Sequence, residues 1–391
     1  MAFDAEQGGG GVRVAYDLAT GLAQRGHQIV AVCEDLYNRG LDPETVEGVT
    51  VLRYRLPTPK GIPFRRHREH VDATRNVMRK HLTEPPQVVH GHHPFQYLAA
   101  LELFGSQARS CYTIHSPSVQ ELRITWGNQG LVGRLKILLG LATMRRLESR
   151  ILLDSSVLAA LSSHTCGLIS ADYGDAIARR IQVIPGWVDL KRFAPLSHEA
   201  VNATRRQLGW PMDIPVLFVL RRLEPRMGLN NLLRALVLVK QRGLRVHTAI
   251  GGTGSLSSNL MRLSNSVGLE QDVTFMGFVP GALLPLAYAA ADVSVIPSME
   301  LECFGLIALE ALACGKPTLV TPVGALPEVM RNFELQWIAQ DNTPEAIADL
   351  LCAHLEGRLP VHTAEELRAV ITQRYTLERA LAEYEQVLIG E

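Results

Sequence analysis

Glu302 and Glu310, an E-x7-E pair, flank Phe304-Gly305 in the stretch SMELECFGLIALEALACGKPTLVTPVG, residues 298–324. The apolar run 293–296 ahead of them predicts a strand, and the Ala- and Leu-rich run up to Cys314-Gly315 predicts a helix closed by a glycine C-cap. Backbone N–H groups at a helix start have no partner within the helix and carry the positive end of its dipole. Gly305 and Leu306 would therefore offer a cradle for phosphate. Glu310 falls on a helix otherwise apolar enough to be core, and a buried carboxylate needs hydrogen-bond donors. Two vicinal ribose hydroxyls would supply them. A bare E-x7-E pair is more often two solvent-facing glutamates. The strand-to-helix junction, the Phe-Gly at the helix start and the following ALACGKPTLVTPVGALPEV, with a strand over 318–321, favour a nucleotide site instead.

Together these positions resemble the family 4 glycosyltransferases of the GT-B fold, which carry E-x-F-G-L-x-x-x-E running on into E-A-x-A-x-G-x-P-V. The resemblance implies an α/β fold of two Rossmann-like β/α/β domains facing across a cleft. An acceptor-binding domain would cover 1–195 and a nucleotide-sugar-binding domain 196–391, with the terminal helices packing back on the first. The boundary is read at the Pro- and Ser-containing stretch 194–197. By resemblance Glu302 hydrogen-bonds the transferred sugar, Phe304, Gly305 and Leu306 present backbone to it and to the diphosphate, and Glu310 holds the ribose. Gly252, Gly254 and Val279 would border the nucleotide, Gly9 and Gly10 would face the donor phosphates, and His115 would contact the sugar.

RRLEPRMG, residues 221–228, resembles the family's G-R-L-x-x-x-K-G, with Arg222 at the family Arg. It departs twice: Arg221 stands where the family has Gly, and Met227 where it has Lys. Half of the expected cation pair is thereby missing. Arg226 or Arg221 could stand in, or the site could be slower. PGWVD, residues 185–189, resembles the family's P-x-G-V-D crossover with Trp187 in place of Gly.

Breaking a nucleotide sugar at its anomeric carbon requires stabilising the charge on the departing diphosphate. The chain contains no D-x-D, so no metal is expected and cationic side chains must act; the planar fork of Arg suits phosphate. No pair of carboxylates presents itself as nucleophile and acid. The resemblance implies transfer with retention, the leaving phosphate helping to take the acceptor proton, with the nucleotide-diphosphate sugar as co-substrate and no cofactor. Two other readings stay open: a donor-binding subunit without turnover, and a GT-B sugar phosphorylase or epimerase.

The 391 residues suffice for two domains, and 39 basic residues balance 39 acidic ones. The balance hides a bias of +5 in 1–195 and −5 in the rest. Most of it lies in 60–81, where Lys60, Arg65, Arg66, Arg68, Arg75, Arg79 and Lys80 face only Glu69 and Asp72. That run reads as a solvated helix face or as a site for an anionic partner. The stretch 126–150, with Arg134, Lys136, Arg145, Arg146 and Arg150, reads as a helix packed on its own domain, or as a patch touching an anionic membrane or a lipid-linked acceptor. The acceptor could be a sugar, a lipid-linked glycan or a small molecule, as in glycan or cell-envelope polysaccharide synthesis; no nucleic acid is expected. Six scattered cysteines, no bilayer-spanning run and no signal-peptide pattern fit a reduced, cytoplasmic chain. His90, His92 and His93 have no acidic or Cys partner at zinc spacing.

Strands and helices alternate throughout, which predicts parallel sheets wound by helices. The exception is the start: a glycine loop, 8–11, leads into a helix over 12–25 with only MAFDAEQ ahead of it. Relatives place an apolar strand there, so the first strand is expected to be missing, either because the start is placed late or because the sheet tolerates its loss.

Overall fold

The computed structural model describes residues 3, 4, 9–56, 63–126 and 131–390, and of 63–66, 125, 126 and 131–137 only the backbone. Gly8 and Lys60 lie outside the described residues, as do the side chains of Arg65, Arg66, Arg134 and Lys136. Internal contacts divide the chain into Met1–Pro185 with Leu377–Glu391, and Gly186–Thr376.

The first unit runs α1 (Gly10–Gln24), β1 (Ile29–Glu34), β2 (Glu44–Val46), β3 (Val49–Tyr54), α2 (Pro63–His81), β4 (Val88–Gly91), α3 (Pro94–Phe104), β5 (Arg109–Ile114), α4 (Ser118–Trp126), α5 (Leu131–Asp154), β6 (Val157–Ala160), α6 (Ser163–Tyr173), α7 (Asp175–Ala178) and β7 (Ile181–Val183). Its strands form two sheets, one ordered β1-β3-β2 and one, all parallel, ordered β4-β5-β6-β7. Among the described residues no strand precedes α1 and none joins β1 to β4. Every residue of β6 is buried, as expected of a parallel strand covered on both faces. Tyr97 of α3 stacks on Tyr112 of β5, ring centroids 5.1 Å apart, and its hydroxyl pairs with Ser155 Oγ at 2.9 Å.

The second unit runs α8 (His198–Leu208), β8 (Val216–Leu220), α9 (Leu229–Gln241), β9 (His247–Gly251), α10 (Ser257–Ser266), β10 (Val273–Gly277), α11 (Leu284–Ala290), β11 (Val293–Ile296), α12 (Leu306–Ala313), β12 (Thr318–Val320), α13 (Leu326–Met330), α14 (Pro344–Leu355) and α15 (Ala364–Arg374). One parallel sheet, ordered β10-β9-β8-β11-β12, carries it. Local sequence sets the helix ends. The Thr343 hydroxyl accepts from the Ala346 amide, and Thr363 with Glu366 forms a reciprocal capping box. α12 closes as its expected glycine cap predicts, with Gly315 N–H donating to Leu312 O and Lys316 N–H to Ala311 O.

The sequence reading puts the boundary near residue 195, whereas the contacts divide ten residues earlier. The crossover segment packs with the second unit: Val188 N–H donates to Tyr375 O at 3.0 Å, and Gly186 lies against Phe304 and Leu306. Trp187 is buried. Of the terminal helices, α14 packs on α9 and α15 on α12, both within the second unit. Only α16 (Leu377–Ile389) belongs to the first, where it lies on α1 and the β5 strand.

Leu381 of α16 is buried against Gly21 of α1, so close that a methyl on Gly21 would come within 2.7 Å of it. Leu381→Ala should cost about 2 to 5 kcal/mol in urea unfolding. An unchanged midpoint would remove α16 from the core of the first unit.

Candidate functional site

In the sheet of the second unit the chain passes from β8 to β9 and β10 on one side and reaches β11 and β12 on the other. The strand order therefore reverses between β8 and β11, and in open α/β sheets ligands bind beyond the carboxyl ends of the strands at such a point. Arg221 follows β8 directly, and the loop Ser298–Gly305 follows β11.

That loop is held from several sides. The Glu302 carbonyl accepts from Ala325 N–H at 2.7 Å, and a Cβ on Gly324 would fall 2.0 Å from the same oxygen, so only glycine fits there. Thr321 Oγ1 donates to Ser298 O at 2.7 Å, and Asn342 Nδ2 to Met299 O at 3.2 Å. Leu301 sits in the left-handed region at φ 51°, an unfavourable place for a branched side chain, and its carbonyl accepts from Arg226 Nη1 at 2.9 Å. Gly305, at φ 90°, is the N-cap of α12 and makes no side-chain cap, so the first amides of the helix carry no side-chain cover from it.

The cations separate into roles. Arg221 Nη2 donates to Ser298 Oγ and, at 2.8 Å, to Glu302 Oε2. Arg226 is committed to the Leu301 carbonyl. Arg222 is exposed, and Met227 is buried. Glu224 accepts from the Ser255 hydroxyl at 2.6 Å and from its amide at 2.9 Å. Those bonds, then the charges of Arg222 and Arg226, hold its carboxyl below the usual range. The Gly-rich loop 251–254 is thereby tied to the segment 221–228. Gly252 seats on the Arg221 carbonyl, 1.8 Å from where a Cβ would be, and Val279 packs on Gly251. Gly254 lies against the backbone of Leu223.

Phe304 is buried and meets Tyr375, ring centroids 6.1 Å apart, so its side chain serves the core and only its backbone faces the loop. Glu310 lies against the Tyr288 phenol. Burial, followed by the charge of Glu310, pushes that phenol well above its ordinary pKa.

In the first unit it is Gly11, not Gly9, that lies against His115. Gly9 is the N-cap of α1 and offers no side chain, and a Cβ on Gly11 would lie 3.2 Å from the His115 ring. His115 Nε2 pairs with His92 Nδ1 at 2.9 Å; His90 Nε2 pairs with Thr113 Oγ1 at 2.8 Å, and Thr113 with the Tyr384 hydroxyl at 3.2 Å. Burial pushes His115 down to about 4, and burial with the nearby His115 pushes His90 down to about 3. These imidazoles are neutral at neutral pH. Among the described residues no group of three or more His, Cys, Asp or Glu side chains is placed to hold a metal ion.

The basic helices are partly self-satisfied. Arg75 pairs with Asp72 and Glu102, Arg150 with Glu102 and Asp154, and Arg145 donates to the Asp172 carbonyl. Leu138 and Leu139 of α5 are exposed. Among the described residues no helix is long and apolar enough to cross a membrane.

Residues 8–192 match the model of Glycosyltransferase Family 4, and residues 201–374 that of Glycosyl transferases group 1. Sucrose-phosphate synthase from Thermosynechococcus elongatus superposes with a TM-score of 0.80 at 20% identity, over 98% of this chain and 94% of that one. WaaG, a glycosyltransferase involved in lipopolysaccharide biosynthesis, gives 0.75 at 17%, over 98% and 97%. Both have the GT-B fold. The chain belongs to the GT-B glycosyltransferases of the family 4 type. Anabaena HepE, solved with UDP and glucose, matches this glycosyltransferase over its whole length with a TM-score of 0.73 at 17% identity and 98% coverage of HepE. Among curated relatives, the D-inositol 3-phosphate glycosyltransferase of Corynebacterium glutamicum (strain R) is 29% identical over 54% of this chain and 52% of its own. That of Mycobacterium tuberculosis (strain F11) is 34% identical over 54% and 45%. The chain thus spans about half the length of the curated relatives it matches.

Sequence reasoning did not assign Ser298 or the Arg221–Glu302 pair. The signal was there in the form of polar residues just past two apolar strands, but only the strand order makes them neighbours.

A histidine whose folded pKa is depressed is protonated in the unfolded chain first. Stability should therefore fall as pH drops through about 6.5. His90→Gln keeps a bond to Thr113 and removes one such proton, so the fall between pH 6 and 5 should be shallower by up to about 1.4 kcal/mol per pH unit. Urea unfolding at the two pH values reads this, and an unaltered slope would contradict a neutral, half-buried His90.

Proposed function

We propose that this glycosyltransferase moves a hexosyl group from a nucleoside-diphosphate sugar to an acceptor hydroxyl, with retention and without a metal. The observation that carries the reading is the start of α12 at the switch point of the second unit's sheet, with the clamped Glu302 beside it. The diphosphate would lie on the Gly305 and Leu306 amides, the sugar against Glu302, and the ribose against Glu310. That HepE was solved with UDP-glucose favours a uridine nucleotide. Arg222, exposed beside the Gly-rich loop 251–254, would meet the charge that develops on the leaving diphosphate. The leaving phosphate would take the acceptor proton, as the family resemblance implies; Glu300, the other carboxylate of the loop, is exposed. In the first unit the neutral His115 and the amides opening α1 would face the ligand. The names of the curated relatives make D-inositol 3-phosphate the first acceptor to try.

The second reading, a donor-binding subunit without turnover, rests on Met227, a buried thioether where a cation is expected. Incubation with a panel of nucleotide sugars and acceptors in EDTA, with nucleotide release followed, separates the two. Release that requires added divalent metal would count against the metal-free mechanism. Arg222→Ala should lower turnover by roughly a hundredfold or more. Met227→Lys should raise turnover with little change in donor affinity if the diphosphate lacks a cation. Turnover confined to Met227→Lys would establish the binding-subunit reading. Glu310→Ala should weaken UDP binding in calorimetry by about tenfold or more; an equal dissociation constant would leave Glu310 a partner of Tyr288 alone.

A further inference from the structure

Arg221 occupies the switch point with a buried guanidinium: its side chain is 7% exposed, against 17% for Glu302. All the hydrogen bonds that Glu302 receives on its side chain converge on one oxygen. Oε2 accepts from Arg221 Nη2 at 2.8 Å and from Ser298 Oγ at 3.3 Å, while Oε1 takes no hydrogen bond from a described residue. The backbone of Arg221 is anchored in turn. Its backbone N–H donates to Gly251 O at 3.0 Å, and Gly252 closes over its carbonyl. Arg226 holds the neighbouring Leu301 in its left-handed conformation, so arginines grip the loop at two adjacent residues. An ion pair this buried exacts desolvation from both partners, and removing one partner leaves the other charge exposed to that cost.

We infer that Arg221 is a positioning residue for Glu302. It clamps one carboxylate oxygen from beneath, so that the other is presented, ionised and fixed, to a hydroxyl of the transferred sugar. An ionised carboxylate only accepts hydrogen bonds. The group it reads is therefore a donor, a free sugar hydroxyl, and not the carboxylate of an acidic sugar. Ser298 shares the task as a weaker, neutral donor to the same oxygen. This inference rests on the nucleotide-sugar reading above and adds to it which residue makes the sugar contact specific.

The test compares UDP with UDP-glucose, because the two differ by the sugar alone. Dissociation constants are measured by calorimetry on the full chain for the unaltered protein, Arg221→Met, Arg221→Lys, Glu302→Gln and the Arg221→Met/Glu302→Gln double variant. Arg221→Met should leave UDP affinity within about twofold and weaken UDP-glucose by about tenfold or more, the size expected for loss of a charged hydrogen bond. Glu302→Gln should do the same, and the double variant should lose little beyond either single change, because both act on one contact. Arg221→Lys, which keeps the charge, should recover much of the sugar-dependent affinity. Equal losses for UDP and UDP-glucose, or losses that add in the double variant, would overturn the clamp and leave the nucleotide-sugar reading standing. Failure of the unaltered protein to bind UDP, ADP or GDP would overturn that reading and the clamp with it.

Discussion

The Glu302 loop depends on one constraint: a short chain must leave β11, cross the end of the sheet and enter α12 without covering the amides of that helix. A free loop would lose about 1 to 2 kcal/mol per residue of conformational entropy on adopting one such path. Here the path is enforced by bonds from outside the loop. Ala325 and Gly324 hold the Glu302 carbonyl, Arg226 the Leu301 carbonyl, Asn342 and Thr321 the backbone ahead of it. The left-handed Leu301 is tolerated because its neighbours over-determine it. A carboxylate delivered this way has little freedom left to lose when a ligand arrives, the general advantage of a preorganised site.

The first unit solves a different problem. His90, His92, His93 and His115 are brought, half-buried, to the ends of β4 and β5, and loss of solvent around the rings keeps them uncharged. Neutral imidazoles can each donate at one nitrogen and accept at the other, which lets His92, His115, His90 and Thr113 satisfy one another without a counter-ion. Gly11 of α1 lies against this group, where a side chain would crowd the His115 ring. The acidic pH range is where this arrangement is weakest.

Much of the architecture was legible in the sequence, since apolar runs of strand length alternate with amphipathic runs and end in glycine or capping residues. The strand over 293–296, the helix ending at Gly315 and the capping box at Thr363 are all set by neighbouring residues. Glu302, Gly305 and Glu310 stood out for the same reason, lying close together along the chain. Short α4 and α11 escaped, the first half polar and the second opened by Pro285. The split of the first unit into two sheets, and the assignment of α14 and α15 to the second unit, follow from tertiary packing that no local pattern encodes. Arg221 could be seen in the sequence only as a departure from a motif. Its bond to Glu302 required knowing that β8 and β11 are neighbours, which is a property of strand order alone.

A crystal structure of the protein soaked with UDP tests the central claim most directly. The account predicts diphosphate oxygens within hydrogen-bonding distance of the Gly305 and Leu306 amides and the ribose hydroxyls on Glu310, with the Glu302 loop unmoved. Nucleotide bound away from the start of α12, with Glu310 still turned to Tyr288, would contradict it.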